Sequence, residues 1–186
     1  FPLTAQGGFG AIACNPVVIG DVVYIQDMAF NVFALDRNSG DLIWQYDQDI
    51  PASGPNGVAV GYGMVYASGL IGAQVFALDA NTGEEVWRTS LSANPNEFVF
   101  MQPILYDNVL YVGTSTATYM GGVKGGFYAL DAATGGVLWM FDTTTDNLWG
   151  NARINSGGSI WYGPSVDEAG NVYFGTGNPG PWPGTE

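Results

Sequence analysis

Histidine is absent from the 186 residues, and cysteine occurs once, at position 14. Without histidine, Ser-His-Asp and Cys-His catalysis and His-ligated zinc are impossible within the chain. Cys14 cannot form an internal disulfide, so no cysteine framework holds the fold. Positive charge is also scarce. Four Lys and Arg stand against seventeen Asp and Glu, giving a formal net charge of −13. Such a field repels phosphate backbones and anionic headgroups, which argues against nucleic-acid partners, although a solvated acidic surface needs no partner to explain it. No apolar run approaches the roughly 20 residues of a membrane span. The opening Phe1-Pro2-Leu3-Thr4 lacks the basic and apolar parts of a signal peptide, so an export leader is not visible.

Glycine and aromatic residues, by contrast, are plentiful. Glycine fills 28 positions, 14% of residues are aromatic and only 11% are charged. This balance suits many short strands and tight turns and excludes a helical bundle.

Internal repetition gives the organisation. Val32-Phe33-Ala34-Leu35-Asp36-Arg37-Asn38-Ser39-Gly40 leads to Trp44, and Val75-Phe76-Ala77-Leu78-Asp79-Ala80-Asn81-Thr82-Gly83 leads to Trp87. A third copy, Phe127-Tyr128-Ala129-Leu130-Asp131-Ala132-Ala133-Thr134-Gly135, leads to Trp139. The three aspartates are 43 and 52 residues apart, close to the length of a propeller blade. In each copy an alternating strand meets a turn in which Asp can accept backbone N–H groups and Gly can take positive φ. Upstream lie Val22 to Ile25, Met64 to Ala67 and Val109 to Val112. Shorter first strands precede them near Pro16 to Ile19, Gly57 to Val60 and Gln102 to Tyr106. Four strands per unit follow. The repeated tryptophans read as fillers between neighbouring sheets, and the repeated aspartates as turn residues.

The expected fold is therefore all-β: a β-propeller of four-stranded blades at about residues 15–48, 56–92, 100–142 and 157–186. The last is incomplete, with strands at Ile160 to Tyr162, Pro164 to Val166 and Val172 to Phe174. Three and a half blades leave an edge open, so the chain is expected to be a portion of a larger ring.

The Ala-x-Asp-x-x-Thr-Gly-x-x-x-Trp repeat resembles the tryptophan-docking motif of quinoprotein dehydrogenases, the pyrroloquinoline quinone (PQQ) dependent alcohol dehydrogenases built as eight-bladed propellers. Related blades occur in non-enzymatic propellers of outer-membrane assembly. More specific is Gly157-Gly158-Ser159-Ile160-Trp161, followed by Tyr173-Phe174-Gly175-Thr176-Gly177-Asn178-Pro179-Gly180-Pro181-Trp182. This stretch is similar to the part of those enzymes in which a tryptophan floors the quinone and an asparagine binds the metal. The resemblance implies Trp161 as the quinone platform and Asn178 as a ligand of calcium or a lanthanide. Read from the residues alone, Trp161 is a core aromatic and Asn178 a turn residue before Pro179; with the matching context the two readings stand level.

Asn56 stands where the family places an arginine that contacts the quinone. The adjacent cysteine pair expected just before it, in Pro51 to Val60, is missing. Thr118 lies in Gly113 to Met120, where the family has its metal-binding glutamate, and no carboxylate is present there. Asn56 and Thr118 join Trp161 as candidate cofactor contacts, with Lys124 and Arg153 as cations able to meet quinone carboxylates, or as isolated surface charges. The loop Asp142 to Asn151, with Trp149, is expected to fold over one face near the channel. Two functions remain open. One is PQQ-dependent oxidation of an alcohol, with a separate electron acceptor and the catalytic base outside the sequence. The other is a non-catalytic propeller binding protein or glycan. The resemblance implies a periplasmic or extracellular location for either.

Overall fold

A computed structural model of the chain describes residues 1, 3, 10–52, 54–69, 72–116, 122–145, 151 and 153–180. Three antiparallel four-stranded meanders follow one another. The first contains β1 (Val17–Ile19), β2 (Val22–Gln26), β3 (Val32–Asp36) and β4 (Leu42–Tyr46). The second contains β5 (Val58–Gly61), β6 (Met64–Ser68), β7 (Gln74–Asp79) and β8 (Glu85–Ser90), and the third β9 (Ile104–Tyr106), β10 (Val109–Gly113), β11 (Gly126–Asp131) and β12 (Val137–Asp142). Among the described residues, a fourth unit holds the pair β13 (Ser165–Val166) and β14 (Val172–Tyr173). These sheets are blades of a partial β-propeller.

The turns use the chemistry that their residues allow. Asp36 Oδ1 accepts from Asn38 N and Ser39 N at 2.9 and 2.8 Å, and Asp79 Oδ1 accepts from Asn81 N and Thr82 N at 2.9 Å each. Asp131 Oδ1 takes the N–H and the hydroxyl of Thr134, both at 2.8 Å. These bonds hold all three carboxyls below their ordinary range. Gly40, Gly83 and Gly135 follow with φ of 74°, 75° and 73°, in the left-handed region that only glycine enters freely.

Register places one aromatic row across every blade. Tyr24, Ala34 and Trp44 are lateral partners, as are Tyr66, Ala77 and Trp87, and Tyr111, Ala129 and Trp139. Because the middle residue is alanine, tyrosine and tryptophan meet above it, with ring centroids 6.0, 6.0 and 6.1 Å apart. A bulge beside each row inserts Ile43, Val86 or Leu138 into the outer strand. Such an insertion twists the strand and re-aims its side chains locally.

One apolar cluster, with Val32, Trp44, Val65 and Phe76, joins the first two blades. A larger one, with Tyr66, Leu110, Phe127 and Ile160, joins the second, third and fourth units. Ile160 to Tyr162 is not a strand. Ile160 N donates to Thr114 O at 3.1 Å, so this segment is held by the end of the third blade.

Candidate functional site

The second strands of the first two blades end side by side, and polar residues are buried there. Gln26 ties the blades together: its Nε2 donates to Ser68 O at 2.7 Å and to Phe30 O at 3.2 Å, while its Oε1 accepts Gly57 N at 3.2 Å. Asn56 Nδ2 donates to Asp27 O at 2.6 Å. Asp27 closes the loop after β2 by accepting Ala29 N and Asn31 N on Oδ1 at 2.8 and 2.9 Å. Burial is the main influence on its carboxyl and pushes the pKa up, against these hydrogen bonds. Cys14 Sγ lies 3.1 Å from Gln26 O, and burial pushes its thiol up as well. Among the described residues, Asn56 Oδ1, Ser68 Oγ, Ser115 Oγ and Ser156 Oγ are buried without hydrogen-bond partners.

Against this polar layer sits a compact aromatic cluster of Met28, Phe30, Ala52, Phe98 and Phe100, with Trp161 packed on it. Phe100 stacks on Trp161 with centroids 5.8 Å apart and planes 16° apart, and on Phe98 at 5.0 Å and 24°. Gly54 abuts Phe100, and Gly177 abuts the pyrrole edge of Trp161. Gly177 N donates to Ser159 O at 2.6 Å, and Ser159 Oγ accepts Thr116 N at 3.2 Å.

Of the residues singled out in the sequence, Asn56 and Trp161 belong to this end of the blades. Asn178 is exposed, and its Nδ2 donates to Pro179 O at 2.9 Å. Lys124 pairs with Asp142 at 2.8 Å beside a cavity of about 170 Å³ whose lining includes Glu97, Tyr128 and Met140. Arg153 is exposed. Thr118 and Trp149 lie outside the described residues. Sequence reasoning missed Phe98 and Phe100. Their signal was the apolar run Phe98-Val99-Phe100-Met101 in a connection between blades, where polar residues are the rule.

A planar quinone on Trp161 needs a free indole face; Phe100 stacks with an offset on one face, and Trp161 is half-buried. The unpartnered Asn56 Oδ1 and Ser115 Oγ offer polar contacts at the same end, but they do not open that face. Among the described residues no group of three or more Cys, Asp or Glu side chains is placed to hold a metal ion. A hard cation prefers several oxygen ligands, which Asn178 does not supply alone. On the face that Phe100 covers, these residues do not fit a stacked quinone.

Blades closed by Asp-turns and docked by tryptophan define a β-propeller of PQQ-like repeats, akin to those of quinoprotein alcohol dehydrogenases. A family model described as outer membrane protein assembly factor BamB matches residues 29–179, and the chain belongs to that family. It is 33% identical over 208 residues to a putative dehydrogenase XoxF of Paracoccus denitrificans, with 90% of this chain and 34% of the relative covered. The crystal structure of quinohemoprotein alcohol dehydrogenase from Comamonas testosteroni superposes with a TM-score of 0.82 at 27% identity, over 97% of this chain and 31% of that one. The assembly factor BamB of Pseudomonas aeruginosa is 41% identical over 51 residues, which is 27% of this chain and 13% of the relative. The chain thus spans about a third of the length of the dehydrogenases it matches.

Proposed function

We propose that the chain is a section of a propeller of quinoprotein-dehydrogenase descent that serves as a binding or assembly module for a protein partner, in the periplasm or outside the cell. The observation that carries this reading is the offset stack of Phe100 on Trp161, which takes up part of one indole face. Exposed tyrosines support a partner-binding role. Tyr62, Tyr162 and Tyr173 are 58%, 81% and 59% exposed, and tyrosine supplies rigid, amphipathic contact area at low entropic cost. The test adds PQQ with calcium or a lanthanide to the protein. No stoichiometric quinone absorbance and no thermal stabilisation are expected. Uptake of one quinone per chain would overturn the reading.

A second reading is favoured by relatives that are themselves dehydrogenases and match nine-tenths of the chain or more. In it the whole protein oxidises a small alcohol and passes electrons to an acceptor, and the quinone and its metal supply the redox and Lewis-acid chemistry. Trp161 would then carry the cofactor, Asn178 would contribute one metal oxygen, and Asn56 and Thr118 would face the quinone. The quinone would use indole surface that Phe100 leaves free, and carboxylates would have to come from outside the described residues. Alcohol-dependent reduction of an acceptor dye by the quinone-loaded protein is its signature.

A further inference from the structure

We infer that Phe100 determines what Trp161 can receive: its phenyl ring is a built-in occupant of a ring-sized slot, and the missing side chain of Gly54 is the complement that lets it sit there. The inference rests on the assignment of Trp161 as a potential ring platform, but it does not require the chain to be non-catalytic.

Three observations converge on this pair. Phe100 is fully buried and nearly parallel to the indole with its centroid 5.8 Å away, so its ring fills the space beside one indole face. A Cβ on Gly54 would lie 2.5 Å from Phe100 Cγ and 2.8 Å from both Cβ and Cδ2. Those atoms sit at the root of a packed ring and cannot swing aside. Finally, Gly54 is absent from the positive-φ residues, so its backbone does not require glycine and the space does. A side chain at position 54 and a phenyl ring at position 100 therefore exclude each other. Removing the ring leaves a pocket bordered by Met28, Phe30, Ala52, Phe98 and Trp161, all apolar or aromatic. An apolar cavity of phenyl size stays dry and admits a small planar aromatic molecule.

The test compares the wild type with Phe100→Ala, using benzene as the probe, the size of the ring removed. Calorimetry should show saturable binding of benzene by Phe100→Ala with a matching rise in Tm, and no binding by the wild type. Equal binding by both proteins, or no binding by a folded Phe100→Ala, would overturn the inference. Gly54→Ala supplies an independent arm. It should lower Tm clearly in the wild type and have little effect in the Phe100→Ala background, whereas an equal loss in both would also refute the pairing. If Phe100→Ala does not fold, Phe100→Leu serves in its place, with weaker benzene binding and partial relief of Gly54→Ala expected. Quinone uptake by the wild type bears on the proposed function and is read separately from these arms.

Discussion

Trp44 lies on Gly83 of the next blade: a Cβ at Gly83 would be 2.7 Å from Trp44 Cε3. The indole nitrogen donates to the neighbouring Ala80 O at 2.9 Å. Tyr24 Oη reaches the same carbonyl at 3.2 Å. The turn glycine thus has two tasks, since it takes positive φ and leaves room for the indole of the preceding blade. Trp87 repeats the contact one blade on, bonding Ala132 O at 3.1 Å and resting on Gly135.

Trp139 holds the same place in its own sheet but remains 44% exposed, whereas Trp44 is 8% exposed. The described part of the fourth unit sets no Asp-turn against it. Trp44→Ala should therefore cost about 3–5 kcal/mol, the usual loss for a buried large aromatic. The glycines divide likewise. Gly40→Ala meets open space and bears only the strain of its φ, whereas Gly83→Ala bears that strain and the clash with Trp44. Urea unfolding of Trp44→Ala, Gly40→Ala and Gly83→Ala checks these expectations. A loss at Trp44 well under about 3 kcal/mol would mean that docking between blades adds little to stability.

Alkaline stability should depend on two buried phenols. Tyr66 is fully buried with an unpartnered hydroxyl, and Tyr128 is 9% exposed. Both are pushed up to about 12, first by burial and then by nearby groups: Tyr62 and Asp131 for Tyr66, Glu97 and Asp142 for Tyr128. A tyrosine in the unfolded chain titrates near 10. Because the folded values are higher, the contribution is complete below pH 10 and is lost as pH rises through 12. Tyr66→Phe removes one titrating group together with a hydroxyl that has no partner. It should match or exceed the wild type at pH 8 and lose stability less steeply between pH 10 and 12. Parallel pH profiles for the two proteins would show that Tyr66 ionises as freely in the fold as outside it.

The blades were legible because each repeats its own instructions: strand alternation, an Asp-to-Gly turn and a tryptophan at fixed spacing. Their inner geometry was less legible. That Ala34 is small so that Tyr24 can meet Trp44 follows from register, which a string of residues does not display. The fourth unit shows the limit of local pattern. Ile160 to Tyr162 has the composition of a strand, yet Ile160 bonds to Thr114 and packs against Gly113 of the third blade, so a tertiary partner decides its conformation. At the candidate site, motif likeness pointed to Trp161 and Asn56. It could not reveal Phe100, whose stack exists only because the segments around residues 28–30, 52–54 and 98–101 converge.

Asp27 offers a pH dependence of opposite kind to that of the turn aspartates. Burial raises its carboxyl above the ordinary value, so the folded chain takes up a proton before the unfolded chain does. Acidification through that folded value therefore favours folding at this site. The lowered carboxyls of Asp36, Asp79 and Asp131 contribute above their unfolded value, and that contribution is lost as pH falls through their folded values. Asp27→Asn keeps an oxygen for Ala29 N and Asn31 N and removes the buried charge but gives up the bond from Asn31 Nδ2, so at pH 7 it should lose about 1 kcal/mol. Asp27→Ala abandons both N–H groups and should lose about 1–3 kcal/mol. The decisive quantity is the difference between wild type and Asp27→Asn as pH is lowered from 7 toward 4. It should move in favour of the wild type, because only the wild type can gain from protonation at this position. A difference that stays constant would mean that the Asp27 carboxyl titrates alike in the folded and unfolded chains, and that burial beside Cys14 costs it nothing.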